Sequence, residues 1–279
     1  MFNPGFIFAD YYIPSGIDPD AQAYINAVNT AGGSLTATET NALITLVSDL
    51  KAANIWDKFD IFLPVLGSTA ASCKINLIEP SNATYDWDYL GTPTFSATGI
   101  KGNGTDAAVR ALWKMNDLVK SQVGNAHWSS YQKYYSSSTG NLNGVFDIGG
   151  TFFVHGVGHG QNTAFGAGNN GIYSGQITGG NANQYNGFLY ADAENSSSEK
   201  IYIQNSLFLT ANTAQSALSA NAGHALLGIY FHGATDNVYS LRSPNEVRSF
   251  SIGSYLDTAQ RNAYYTAIQT FQTTLGRQV

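Results

Sequence analysis

Cysteine and charge are what this sequence has least of: one Cys and 11% charged residues in 279 positions. A lone Cys73 excludes an intrachain disulfide, so stability has to come from packing whatever the compartment. Thirteen Lys and Arg stand against nineteen Asp and Glu, a formal net charge of -6. That balance offers no basic footprint for neutralising phosphates, so a nucleic-acid partner is not expected. No stretch approaches the roughly 18 apolar residues of a membrane span. The start, "MFNPGFIFADYY", has no basic n-region, so no classical secretion signal is expected either.

What is abundant is Gly, Ser, Thr, Asn and Tyr, with 29 Gly and 17 Tyr. The surface is therefore expected to be made soluble by hydroxyls and amides, and the composition suits many short strands and turns. The length is sufficient to bury a sizeable core. Residues 1–17 combine Phe2, Phe6, Phe8, Tyr11 and Tyr12 with Pro4, Gly5, Pro14 and Gly16, too many breakers for a helix. They read as an extended arm. Its aromatics either pack on the protein's own core or attach it to a partner, and the second reading predicts contacts with other subunits or particle proteins.

Residues 18–68 read as a helical hairpin. Asp18 is placed to cap a first helix with Pro19 at its first position, and Gly32 and Gly33 end it. Thr36 and Glu39 form the sequence signature of a capping box ahead of Leu43, Leu46, Val47 and Leu50 at helical spacing. "IWDKFDIFLPVLG" then carries apolar residues expected to staple the hairpin to the rest.

Residues 69–279 read as a sandwich. "CKINLIE", "PTFSATGI", "HWSSYQKYY", "VFDIG", "TFFVHGV", "GIYSGQI", "GFLYAD", "KIYIQNSLFL", "ALLGIYFHG" and "VRSFSIG" are short, rich in aromatic or β-branched residues, and separated by Gly, Asn and Ser. One isolated helix is expected around "DAAVRALWKMNDLV". A last helix is expected after Asp257 or Thr258, with Tyr264, Tyr265, Ile268, Phe271 and Leu275 on one buried stripe and Gly276 as the stop.

Sites are harder to read. The stretch "GVGHGQNTAFGAGNNG", residues 156–171, contains Gly166, Gly168 and Gly171 in dinucleotide-loop spacing, but "IYSGQITGG" after it is strand-like where a helix should follow. His155 and His159 would stand about 13 Å apart along a strand. With no third ligand nearby and His127, His224 and His232 scattered, a hairpin turn explains the segment better than metal or nucleotide. No cofactor is expected. Asp86 with Asp88, and Asp192 with Glu194, are alternating carboxylate pairs that a strand would place on one face, near glycosidase spacing. Both lie in polar contexts where solvated carboxylates are usual. No Gly-x-Ser-x-Gly elbow occurs and Cys73 has no histidine close in sequence. Tyr131, Tyr134, Tyr135, Tyr173, Tyr185 and Tyr190 sit in the Gly/Ser/Asn setting that sugar sites favour, with core packing as the competing account. The sequons at Asn82, Asn103 and Asn195 are of the kind an Asn, Ser and Thr-rich chain produces by chance.

The helical prelude "GIDPDAQAYINAV" with "TNALITLVSDLKAANIWDKF", the segment "FSATGIKGNGTDAAV" with its Gly102 and Gly104 turn, and the closing "SFSIGSYLDTAQRNAYYTAIQTFQTTLGRQV" together resemble tailed-phage virion proteins that carry a concanavalin A-like, laminin-G-like sandwich. The resemblance runs over residues 17–279 and is strongest at both ends. It implies a mainly β fold, an antiparallel concanavalin A-like jelly-roll sandwich with an N-terminal helical hairpin and a C-terminal helix. It further implies a non-enzymatic fibre, decoration or receptor-binding component on the virion surface, with host-surface polysaccharide as the candidate ligand; the aromatic arm adds the expectation of a homo-oligomer attached to other virion proteins through residues 1–17. A ligand-free decoration protein and a polysaccharide depolymerase are the alternatives. The Glu-x-Asp-x-x-Glu strand of sandwich glucanases is absent, and the resemblance names no contact residue.

Overall fold

The computed structural model describes residues 16–114, 117–122, 124–133, 141–142, 144–147, 158–159, 163–164, 176–177, 186–211, 222–227 and 244–279. The arm of residues 1–15 lies outside the described residues.

Helix α1 (Pro19–Thr30) begins where the Asp18 carboxylate accepts the Asp20 N–H at 2.9 Å, with Pro19 in the position that needs no N–H. Helix α2 (Ala37–Ala52) opens on a reciprocal capping box: Glu39 N–H donates to Thr36 Oγ1 at 3.2 Å and Thr36 N–H to Glu39 Oε2 at 2.8 Å. Helix α3 (Thr258–Thr274) repeats the device with Asp257 and Gln260.

Every paired strand among the described residues is antiparallel. In chain order they are β1 (Phe59–Leu63), β2 (Trp87–Leu90), β3 (Thr94–Ser96), β4 (Gly99–Lys101), β5 (Ala108–Lys114), β6 (Ala126–Lys133), β7 (Asn141–Leu142), β8 (Gly144–Asp147), β9 (Gly158–His159), β10 (Thr163–Ala164), β11 (Gln176–Ile177), β12 (Gly187–Asn195), β13 (Ser198–Ile203), β14 (Ser206–Ala211), β15 (Ala222–Leu227) and β16 (Glu246–Gly253). A large sheet runs β14-β13-β12-β6-β16-β4-β3, with β1 also on β16, and a smaller one runs β2-β5-β15-β8. Two-residue ladders join β7 to β9 and β10 to β11.

The large sheet is apolar on both faces, so it needs a cover on each. One face meets the small sheet: Trp128, Leu189, Ile201, Phe250 and Ile252 pack with Trp87, Val109, Ala111 and Trp113 in one cluster. The other meets the helices: Phe59, Phe62, Tyr131, Phe188 and Tyr190 pack with Tyr24, Leu46, Leu50, Tyr264, Ile268 and Phe271 in a second. Strand alternation explains the division, since Leu189 and Ala191 of β12 fall in the first cluster and Phe188 and Tyr190 in the second. The expected sandwich with helices toward both ends of the chain is therefore the fold, arranged as three layers. The stripe predicted on α3 is seated: Tyr264, Ile268 and Phe271 are buried, with Tyr265 and Leu275 packed at its margin.

Three local expectations change. The helix predicted around "DAAVRALWKMNDLV" is instead β5. Its Ala, Leu and Lys favour a helix, but Val109, Ala111 and Trp113 at alternate positions enter the inter-sheet core, and packing outweighs propensity. "CKINLIE" forms turns rather than a strand. There the Asn76 side chain takes the place of a strand partner beside β1, accepting from Phe62 N–H at 2.9 Å and donating to the Asp60 carbonyl at 3.1 Å. Within "IWDKFDIFLPVLG", Phe59–Leu63 is a strand of the large sheet, paired with Phe250–Gly253 of β16. The crossing is close enough that a Cβ on Gly253 would stand 2.1 Å from the Lys58 carbonyl oxygen, so the position requires glycine.

Candidate functional site

Helix α1 and the 71–86 connection enclose an open cleft of 610 Å³, within the size range of small-ligand sites. Ala23, Ala27 and Ala31, four residues apart, form one wall, with Ile75 and Pro80 facing them. At the rim Lys74 Nζ pairs with Asp86 Oδ1 at 2.7 Å and donates to the Trp87 carbonyl at 3.2 Å. Both partners are about one-third exposed, so the pair is wet and contributes little to stability, but it sets an ammonium and a carboxylate side by side. Asn26 accepts at Oδ1 from Gln22 at 2.9 Å, and its amide nitrogen has no partner among the described residues. The cleft thus offers small apolar walls and a rim of donors and acceptors.

A second polar centre lies sealed between the large sheet and α3. His127 Nδ1 is 2.6 Å from the Ser254 carbonyl, which can only accept, so Nδ1 carries the proton and Nε2 accepts from Ser251 Oγ at 3.2 Å. Ser251, Ser129 and Tyr264 close a hydroxyl triangle with edges of 2.8, 2.8 and 2.9 Å. Burial lowers the His127 pKa to about 4, so the ring is neutral near neutrality, and burial pushes the Tyr264 phenol up. A Ser–His hydrogen bond is the pairing of nucleophilic catalysis. Here both residues have 0% exposure, and the network serves to pin β6, β16 and α3 together.

Asp192, in register with His127 across β12 and β6, is 1% exposed, and neither carboxylate oxygen has a hydrogen-bond partner. Burial raises its pKa to about 7, against the pull of Arg261 and Lys200. The Tyr190 hydroxyl on the same face of β12 is likewise buried without a partner, and its ring stacks on His127 with centroids 5.6 Å apart.

The residues singled out from the sequence scatter accordingly. Asp86 reaches the cleft rim, whereas Asp88 is held two-pronged by Arg110 at 3.1 and 2.6 Å. Asp192 is sealed while Glu194 pairs at the surface with Lys200 at 3.1 Å. His159 lies on β9 and His224 on β15, while His155 and His232 fall outside the described residues, as do Gly166, Gly168 and Gly171. Among the described residues no group of three His, Cys, Asp or Glu could hold a metal ion, and no helix is long and apolar enough to cross a membrane. Tyr131 and Tyr190 are core residues, and Tyr134, Tyr135, Tyr173 and Tyr185 lie outside the described residues. Cys73 is buried, its thiol pushed up to about 11. Asn103 and Asn195 fold back on their own loops, and Asn82 caps a single helical turn. Sequence reasoning missed Lys74 and the alanine wall, whose only local signal is the i, i+4 spacing of alanines on a helix.

No family model and no curated protein matches the chain. Its antiparallel sandwich is a fold shared with solved structures at low identity. A Trypanosoma rangeli sialidase in complex with 2,3-difluorosialic acid, a covalent intermediate, is similar over 82% of this chain and 39% of its own, at 9% identity and a TM-score of 0.52. Botulinum neurotoxin type C, which depends on interaction with two ganglioside molecules to get into cells, is similar over 78% and 53%, at 16% identity and 0.50. The binding domain of botulinum neurotoxin serotype D/C is similar over 77% and 53%, at 14% identity and 0.50. The chain spans about two-fifths of the sialidase and about half of each toxin chain. The expectation of a non-enzymatic protein is corrected by the first of these. The fold occurs within an enzyme trapped in mid-reaction, so a missing catalytic signature in the sequence does not place this chain among the non-enzymes.

Proposed function

We propose that the chain is a carbohydrate-recognising sandwich module and that the cleft between α1 and residues 71–86 holds the glycan. The observation that carries this is the cleft itself, 610 Å³ with alanine walls and the Lys74–Asp86 pair at its rim. The sharing of the fold with a sialidase and with a ganglioside-dependent toxin supports the reading by analogy alone. The setting we propose is the one the sequence pattern resembles, an exposed virion appendage.

The test is binding of the purified chain to a broad panel of host-surface polysaccharides and ganglioside glycans, with release of reducing ends followed on every binder. Ala27→Trp fills the cleft from a half-buried helix position. Affinity for the preferred glycan is expected to fall at least about tenfold, about 1.4 kcal/mol, with the melting temperature nearly unchanged. Absence of binding across the panel, or equal binding by Ala27→Trp, overturns the reading.

A further inference from the structure

Two cations stand near the buried Asp192 carboxyl, and the fold engages both elsewhere. Lys200, its cross-strand partner on β13, pairs with Glu194 at 3.1 Å. Arg261, in the first turn of α3, donates its Nε to Asn205 Oδ1 at 3.2 Å and lays its guanidinium over the Tyr202 ring, 3.8 Å from the centroid. Tyr202 pairs with Tyr190 and Lys200 with Asp192, so Tyr202 is the diagonal neighbour of Asp192 on the helix-facing side of the sheet. Arg261 therefore lies over the diagonal neighbour of an unpartnered carboxyl, whose charge it favours, while holding something else.

What it holds is the turn between β13 and β14. Gln204 and Asn205 form that turn with φ of 49° and 61°, a left-handed conformation that needs outside support in non-glycine residues. Helix α3 supplies the support: besides Arg261, Asn262 Oδ1 accepts from Asn205 Nδ2 at 2.9 Å and Gln269 Nε2 donates to Gln204 Oε1 at 3.2 Å. The turn closes the outermost hairpin of the large sheet, where Leu207 and Phe208 of β14 are already exposed.

The ionisable groups around Asp192 are His127 on β6, Tyr190 and Glu194 on β12, Lys200 and Tyr202 on β13, Tyr255 ahead of α3, and Arg261 and Tyr264 on α3. Burial keeps His127 neutral down to about 4 and pushes the four phenols up. Among these named groups, Asp192 is the one that burial brings near neutrality, to about 7.

We propose that Asp192 and Arg261 form a pH-operated latch on the β13–β14 hairpin: with the carboxyl protonated, Arg261 holds Asn205 and the hairpin stays on α3; once the carboxyl ionises, the guanidinium turns to it, and the hairpin, left with only its Asn262 and Gln269 contacts to α3, loosens. A buried carboxylate without a partner is costly, and a charge-assisted pair with the neighbouring guanidinium relieves it, whereas the Asn205 contact that is lost joins partly exposed groups. The device does not depend on which ligand the protein takes.

The experiment is backbone hydrogen exchange of the full chain at about pH 5 and about pH 9, expressed as protection factors so that intrinsic exchange cancels. Protection across residues 198–211 is expected to fall about tenfold or more at the higher pH, while β6 and β16 stay unchanged. Asp192→Asn should hold the hairpin protected at both values, and Arg261→Gln should leave it loose at both. Carbon-detected NMR of the Asp192 carboxyl, which needs no variant, should titrate near 7. Equal protection at the two pH values in the wild type, the same loss in Asp192→Asn, or a carboxyl midpoint below about 5 overturns the proposal.

Discussion

Asp192 and His127 face each other across β12 and β6, and their titrations are predicted to cancel in the stability of the protein. The folded His127 pKa is lowered from 6.5 to about 4. Between those values the unfolded chain binds a proton at this site and the folded one does not, so stability rises with pH. Its contribution is complete above 6.5 and lost as pH falls through about 4. The folded Asp192 pKa is raised from 3.8 to about 7. There the folded chain keeps a proton that the unfolded one has released, so stability is greatest below 3.8 and falls as pH rises through about 7. Each slope is about 1.4 kcal/mol per pH unit, and over the shared window of roughly two and a half units each amounts to about 3–4 kcal/mol. The wild type should therefore show little net dependence from this pair. Asp192→Asn should uncover the histidine, its stability relative to wild type rising with pH across the window, and His127→Gln should uncover the aspartate, its relative stability falling. Urea unfolding at a series of pH values, taken as variant minus wild type, cancels every other group. A difference for Asp192→Asn that stays constant between about pH 4 and pH 7 would refute the reasoning.

Three further perturbations test the architecture. Arg277 is buried and donates to the Val65, Pro64 and Arg248 carbonyls and to Gln272 Oε1 at 2.9 to 3.3 Å, so Arg277→Ala should cost about 3–5 kcal/mol in denaturant unfolding; an unchanged midpoint would mean those carbonyls find other donors. Gly253→Ala, with the Lys58 oxygen 2.1 Å from the new Cβ, should fold poorly, whereas Gly276→Ala meets nothing within 4 Å and should cost only the strain of its +66° φ, about 1–2 kcal/mol. Equal melting temperatures for the two would contradict the close crossing at β16. Removing residues 258–279 uncovers Phe59, Phe62, Tyr131 and Phe188, so the product should be insoluble or molten; cooperative melting at the original temperature would show that α3 is not part of the core.

What the sequence by itself determined was local. Asp18 with Pro19, Thr36 with Glu39, and Asp257 announce their helices because a cap is made between residues two or three apart. The α3 stripe was legible because helical periodicity shows which side faces a core, and short aromatic runs such as "GFLYAD" and "VRSFSIG" announced strands. The tertiary structure decided everything that joins distant segments. Residues 108–114 carry helix formers and became a strand because two sheets close over Val109, Ala111 and Trp113. Phe59–Leu63 joined the large sheet because Phe250–Gly253, nearly two hundred residues later, offered it an edge. The candidate site followed the same rule. Asp86 and Asp192 were both visible as members of alternating carboxylate pairs. Only packing set one at the rim of a cleft beside Lys74 and sealed the other beneath a helix, because burial and charge pairing depend on what arrives from elsewhere in the chain.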